Sequence, residues 1–168
     1  MFWKCFWYLF WLSSLGFIIG RVLPKRWFDW TLYPYKAREF EDGGHYYDKF
    51  GIRKWQSKLP DMSKVFKHIM PAKALKTNPT KESLTLMIRE TCIAEWEHRT
   101  VSVLGFGCAL IWNGMGGMIL SILFLIGNLP FIIIQRYSRP RLIRLLGRVT
   151  KETESAVAVE VEEQRCVC

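Results

Sequence analysis

Residues 100–135 read TVSVLGFGCALIWNGMGGMILSILFLIGNLPFIIIQ, thirty-six consecutive positions without an Asp, Glu, Lys, Arg or His. As one straight helix this run would extend roughly 54 Å, well beyond a hydrocarbon core of about 30 Å. It contains a breaker cluster, Asn113-Gly114-Met115-Gly116-Gly117, and a second one, Gly127-Asn128-Leu129-Pro130. Basic residues crowd both ends, with Arg89 and Arg99 before it and Arg136, Arg139, Arg141, Arg144 and Arg148 after it. Placing both ends on the cytoplasmic face satisfies the positive-inside rule, which predicts two legs turning at 113–117. The first leg, about 101–112, is too short to cross alone. The alternative is a single span near 117–135, with the first leg lying in the interface.

A second apolar block supports the same class. Cys5 through Gly20 carries no charge, follows Lys4 and precedes Arg21, Lys25 and Arg26. A cleaved signal peptide would want a more basic start and a small-x-small cleavage site, so an uncleaved anchor is the better reading, with its C-terminal end in the cytoplasm. Between the blocks, Trp27, Phe28, Trp30, Tyr33, Tyr35, Phe40, Tyr46, Tyr47, Phe50 and Trp55 alternate with Lys and Arg, a composition suited to the headgroup level. The expected fold is an all-α membrane protein with an N-terminal transmembrane helix, amphipathic interfacial helices, and a helical hairpin or single span near the C-terminus. Its segments are an anchor (1–23), a basic, aromatic cytoplasmic region (24–80), an amphipathic helix (81–99), the membrane hairpin or span (100–135), a basic segment (136–150) and an acidic tail (151–168). Residues 71–80, with two prolines, read as a connector, and Thr80 as the cap of the helix after it. A short surface helix is expected over Leu142–Val149, and the tail is expected to be disordered.

The formal charge is +9, from 24 basic and 15 acidic residues, and the last 18 residues alone contribute −3. The rest of the chain is therefore strongly basic. With apolar blocks present, that charge points to anionic headgroups or a phosphorylated ligand rather than nucleic acid. The five cysteines form no zinc spacing and no disulfide framework, so no metal is implied.

Three short pieces could carry chemistry. On the 81–99 helix, Leu84, Met87, Ile88, Thr91, Glu95 and His98 fall within one 100° arc, while Arg89, Glu90 and Glu97 point elsewhere. Glu95 and His98 are three residues apart, within reach of one another. A carboxylate on one ring nitrogen would leave the other to take a proton from a hydroxyl. The bland reading is a stripe that ends at the membrane surface, with Glu95 pairing to Arg99. In GNLPFIIIQRYSRPR, residues 127–141, Asn128 is an amide inside an uncharged run and needs a partner. Gln135, Arg136, Arg139 and Arg141 close that run, and guanidinium forks suit phosphate or carboxylate. Generic anchoring accounts for the charge but not for Asn128, Gln135 or Pro140. In Phe50-Gly51-Ile52-Arg53-Lys54-Trp55, two cations stand beside a Trp. His45 and His68 read as surface histidines. No G-x-S-x-G, P-loop, H-E-x-x-H or H-x-x-x-x-D motif occurs.

Taken together, FGIRKWQSKLPD (50–61), RETCIAEWEHR (89–99) and GNLPFIIIQRYSRPRL (127–142) resemble the glycosyl-4,4'-diaponeurosporenoate acyltransferases, which complete staphyloxanthin-type carotenoid pigments. The resemblance covers about residues 50–146 in the same order, and Gln-Arg-Tyr-x-Arg-Pro-Arg is its most specific part. The family pattern has apolar residues between the Glu and the His, whereas this chain has Trp96 and Glu97. The resemblance implies transfer of a fatty acyl group to a sugar hydroxyl of a membrane-embedded glycosyl carotenoid or similar glycolipid; no cofactor is expected, and the flanking basic residues place the active face on the cytoplasmic side of the cell membrane. Its partners would be that acceptor and a fatty acyl donor. His98 and Glu95 then become the catalytic pair, and Arg53, Lys54, Asn128, Gln135, Arg136, Arg139 and Arg141 the substrate-binding groups. The alternative is a non-catalytic membrane protein that binds anionic lipid or scaffolds a biosynthetic complex.

Overall fold

Pro24 and Thr80 set where the first two long helices end and begin. The computed structural model describes residues 1–56 and 79–166, and their regular structure is helical throughout. Helix α1, Phe2–Val22, stops just before Pro24, a residue that cannot continue it. Two 3₁₀ segments, Lys25–Trp27 and Glu39–Phe50, and a short α2, Ile52–Trp55, follow, with a cis Tyr33–Pro34 peptide in the intervening loop. Helix α3, Lys81–Leu104, opens at Thr80, whose hydroxyl accepts the Ser83 N–H at 3.3 Å. A short α4, Gly107–Ile111, leads into a turn at 112–114, where Gly114 has φ +107°. Helix α5, Met115–Cys166, then runs for 52 residues.

Helix α3 lies at the centre, with α1 and α5 both antiparallel to it. Near the hairpin turn, Tyr8 Oη donates to the Leu104 carbonyl at 2.7 Å, and the Cys5 and Cys108 thiols face each other's backbone. At the opposite end Arg21 and Lys25 both pair with Glu90 at 2.7 Å. Gly16 and Gly20 let the two backbones approach: a Cβ at Gly20 would lie 3.2 Å from Ile93 Cγ2, and one at Gly16 2.8 Å from Val101 Cγ1. On the other side of α3, Ser121 Oγ donates to the Gly105 carbonyl at 3.2 Å, and residues 91–98 meet residues 128–139. The loop after α1 folds back onto this pair through two small clusters, Phe28 with Cys92 and Ile93, and Tyr47 with Ile52 and Tyr137.

Helices α1 and α5 are each long and apolar enough to cross a membrane, and most of the apolar surface of both is left outside the fold. Trp3, Phe6, Trp7, Phe10 and Trp11 of α1 are exposed, as are Ile119, Ile122, Leu123 and Ile126 of α5. Met115 to Gln135 rises roughly 30 Å, the thickness of a hydrocarbon core.

Several local expectations are corrected. The Gly127–Pro130 cluster does not interrupt α5, and Pro140 lies inside the same helix. Each proline removes one backbone rung, but among apolar surroundings helix is the conformation that keeps the other rungs satisfied. For the same reason α3 continues past Arg99 to Leu104. No separate helix covers Leu142–Val149, and the acidic tail is helical to Cys166 rather than disordered. Extending an existing helix through Lys, Glu and Ala adds one hydrogen bond per residue without a new nucleus. Glu90, expected on a solvated face, is buried by α1. His68 and most of the 71–80 connector lie outside the described residues.

Candidate active site

The lower half of the α3–α5 contact is polar. Glu95, on α3, is completely buried, and its carboxylate is taken by three guanidinium groups. Arg136 Nη1 lies 2.8 Å from Oε1, Arg139 Nη2 2.6 Å from Oε2, and Arg99 Nη2 2.5 Å from Oε1. Arg136 also forks onto Glu41 through Nε and Nη2, while Nη1 and Nη2 donate to the Pro34 and Lys36 carbonyls. All five of its N–H donors are thereby engaged. Arg139 reaches the Thr91 hydroxyl at 2.9 Å, the Thr91 carbonyl at 3.0 Å and the Tyr35 carbonyl at 2.8 Å. Both arginines are less than a tenth exposed. The two carboxylates nearly balance the cations, as a buried charge requires. Burial pushes the Glu41 carboxyl up, but Arg136, the Tyr47 phenol and the Arg38 amide outweigh it and hold the group below the usual carboxylate range. The Tyr47 hydroxyl, which donates to Glu41, is pushed up to about 12 by burial and by that carboxylate.

Three residues beyond Glu95 on α3, just under one turn closer to the hairpin, stands His98. Its Nδ1 lies 2.8 Å from Asn128 Oδ1, and Asn128 Nδ2 donates to the Phe124 carbonyl at 2.8 Å. A carbonyl only accepts, so the Asn128 amide can be oriented in one way, with Oδ1 toward the histidine. His98 Nδ1 must then carry a hydrogen, and in the neutral ring that leaves the lone pair on Nε2. The ring is stacked on Phe131, with centroids 4.8 Å apart and planes at 15°. This corrects the expected geometry: the group that fixes the imidazole tautomer is the Asn128 amide, while Glu95 faces the arginines. Gln135 is buried, seven residues beyond Asn128 and therefore on nearly the same face of α5.

The remaining three candidates gather farther out. Arg53 Nε donates to the Tyr137 hydroxyl at 3.2 Å and lies 3.6 Å from Asp48. Arg141 stacks 3.4 Å over the Tyr137 ring and reaches Asp48 at 3.4 Å. Arg53 and Lys54, with Asp48 and Gly51, line an open recess of about 350 Å³. His45, set aside as a surface histidine, is exposed and pairs with Asp48 at 3.3 Å.

The nine sequence candidates thus fall into three places: His98 and Asn128 with Gln135 on the same face; Glu95, Arg136 and Arg139 in the buried ion cluster; Arg53, Lys54 and Arg141 at the recess. Sequence reasoning missed Glu41, Tyr47 and Asp48. Their signal was a shortage: arginines that enter an apolar helix pair must find carboxylates, and the Glu39–Asp42 stretch is the acidic one beside them in the fold.

Comparisons with known proteins agree on one family. The family model described as glycosyl-4,4'-diaponeurosporenoate acyltransferase matches residues 24–148, which contain all nine candidates. Proteins of that name from Staphylococcus aureus strains N315, Newman and USA300 are each 33% identical over 140 residues, covering 81% of this chain and 82% of the relative. No solved structure matches.

Proposed function

This chain belongs to the glycosyl-4,4'-diaponeurosporenoate acyltransferase family, and from that premise we propose that it transfers a fatty acyl group to a sugar hydroxyl of a glycosyl carotenoid or related glycolipid, with His98 as general base. The observation that carries this reading is the chain from the Phe124 carbonyl through Asn128 to His98, since it presents Nε2 as the proton acceptor. In the reaction, Nε2 takes the hydroxyl proton as the sugar oxygen attacks the donor carbonyl carbon. The new C–O bond forms, the bond to the leaving group breaks, and the proton passes from the imidazolium to the leaving group. Gln135, with amide donors to offer on the same face, is suited to the acceptor hydroxyl or the developing oxyanion. Glu95, Arg136 and Arg139 hold the helices that carry these groups.

The site is a membrane one in this reading. Arg21, Lys25, Arg26, Arg136, Arg139 and Arg141 all fall at the end of the fold away from the uncharged hairpin turn, which favours the cell membrane, with that end in the cytoplasm. His98 lies level with Asn128, roughly 12 Å along α5 from Arg136. That depth is about a third of the way across the apolar stretch 115–135, within reach of an acyl chain and of a sugar headgroup drawn below the surface.

The test is extraction of lipids from a host that makes the glycosyl carotenoid acceptor and expresses either the wild type or His98→Gln, normalised to membrane-inserted protein. Wild type should shift the acceptor by the mass of one acyl unit, and His98→Gln should reduce that product by about 10²-fold or more. Undiminished product from normally inserted His98→Gln would end the general-base assignment.

A further inference from the structure

The recess at Asp48 holds more positive charge than its own carboxylate can balance. Resting on the acyl-transfer reading above, we propose that it binds the phosphoryl group of the acyl donor, and that this donor is a phosphorylated pantetheine thioester of the coenzyme A type. Tyr137 is buried and serves as a platform, its hydroxyl accepting from Arg53 and its ring lying under Arg141. Asp48 reaches both guanidinium groups, so one phenol and one carboxylate hold two arginines close together. The Nη hydrogens of Arg53 and the Lys54 ammonium have no protein partner among the described residues, and both side chains line the recess. Arg53, Lys54 and Arg141 against Asp48 leave two positive charges over, with a planar fork among them, which is the complement of a phosphoryl oxyanion.

Distance selects the kind of donor. Asn128, at the level of His98, and Arg141, whose guanidinium reaches the recess carboxylate Asp48, stand thirteen residues apart on α5, an axial rise of roughly 20 Å. A pantetheine arm carries its thioester a separation of that order from its phosphates. A glycerophospholipid holds its acyl ester only a few bonds from its phosphate, so its headgroup at the recess would leave the ester far from His98. With a thioester donor the step balances as acyl exchange: the sugar C–O bond forms, the C–S bond breaks, and the hydroxyl proton passes through His98 to the departing thiolate, giving the free thiol.

The experiment uses the full chain in detergent micelles, titrated with coenzyme A and with pantetheine, beside Arg53→Gln/Lys54→Gln. Arg53 is 72% exposed, so an unchanged melting temperature is expected for the variant. Coenzyme A should bind roughly tenfold or more tighter than pantetheine, and the double variant should lose that advantage while keeping its pantetheine affinity. Equal affinities for the two compounds in wild type, or undiminished coenzyme A binding in the variant, would overturn the proposal. A second arm places wild type and variant in vesicles with glycosyl-4,4'-diaponeurosporenoate and either labelled acyl-coenzyme A or labelled phosphatidylglycerol. Transfer from the thioester that falls in the variant supports the proposal. Transfer from phosphatidylglycerol alone, also lost in the variant, would move the recess to a lipid headgroup and overturn the donor class. Phosphate-dependent binding without transfer in either arm keeps the recess and sinks the acyl-transfer reading. Transfer that needs His98 but ignores the double substitution keeps that reading and sinks the recess.

Discussion

His98 and Glu95 share a helix side, but their hydrogen bonds take them into different jobs. The imidazole is aimed by an amide that is itself aimed by a backbone carbonyl, so its orientation rests on the α5 main chain. Asn128 is therefore a positioning residue. Asn128→Leu should lower kcat roughly tenfold or more with KM little changed, and Asn128→Asp, which keeps an acceptor for Nδ1, should recover part of the loss; steady-state kinetics on inserted protein separates these outcomes. Combining Asn128→Leu with His98→Gln should add little, because residues that act as a unit are not additive. Glu41 gives a second prediction. Its folded carboxyl lies below its ordinary value, so its contribution is complete above about pH 4.3 and is lost as pH falls through the folded value. Melting temperatures of the detergent-solubilised protein should drop below that pH, and Glu41→Gln should melt lower at neutral pH with a shallower acid dependence. An unchanged slope in the variant would remove Glu41 from the acid response.

At the level of elements, the hairpin depends on a close crossing just after its turn. A Cβ at Gly117 would run into the Trp112 and Cys108 carbonyl oxygens, which are backbone atoms and cannot rotate away. Gly117→Ala should thus separate α4 from α5, lowering the melting temperature and the yield of inserted protein, while Gly127→Ala, in open space, should keep the yield and hold or slightly raise the melting temperature. Comparison of the two by thermal unfolding in detergent isolates crowding from helix propensity, which favours alanine at both sites. The Asn-Gly-Met-Gly-Gly run made this turn legible in advance, because several residues permissive of unusual backbone stand together with no competing pattern. Thr80 was legible as a cap for an equally local reason. Gly127-Asn128-Leu129-Pro130 misled for the opposite one. Its breaker signal is as strong locally, but the surroundings decide whether an unsatisfied backbone group is tolerable, and a short window of sequence does not contain them.

Across the whole molecule, the basic end of α1, the basic stretch 136–148 of α5 and the loop between residues 24 and 56 gather at one end, and the hairpin turn and Met1 at the other. Cysteines placed at Lys4, Lys54 and Ser155 in a cysteine-free background should divide accordingly, with residue 4 labelled from outside the cell and residues 54 and 155 only after permeabilisation. External labelling of 54 and 155 would invert the orientation, and opposite behaviour of 54 and 155 would contradict an in-plane return through the hairpin. The large-scale arrangement was readable from charge and hydropathy, since the membrane rule acts on blocks of residues. The ion cluster was not: Glu41, Glu95 and Arg136 are joined at separations of up to 95 residues, and nothing in the spacing names those partners.

Three indoles on the outer face of α1, Trp3, Trp7 and Trp11, follow one another at intervals of four residues and all are exposed. Each step is roughly 6 Å along the helix axis. The helix therefore carries a ruler graduated in fluorophores. With the other tryptophans replaced by phenylalanine and one rung kept at a time, lipids brominated at successive chain positions would quench each rung according to its depth, so the tilt and immersion of α1 can be read optically without attaching any label.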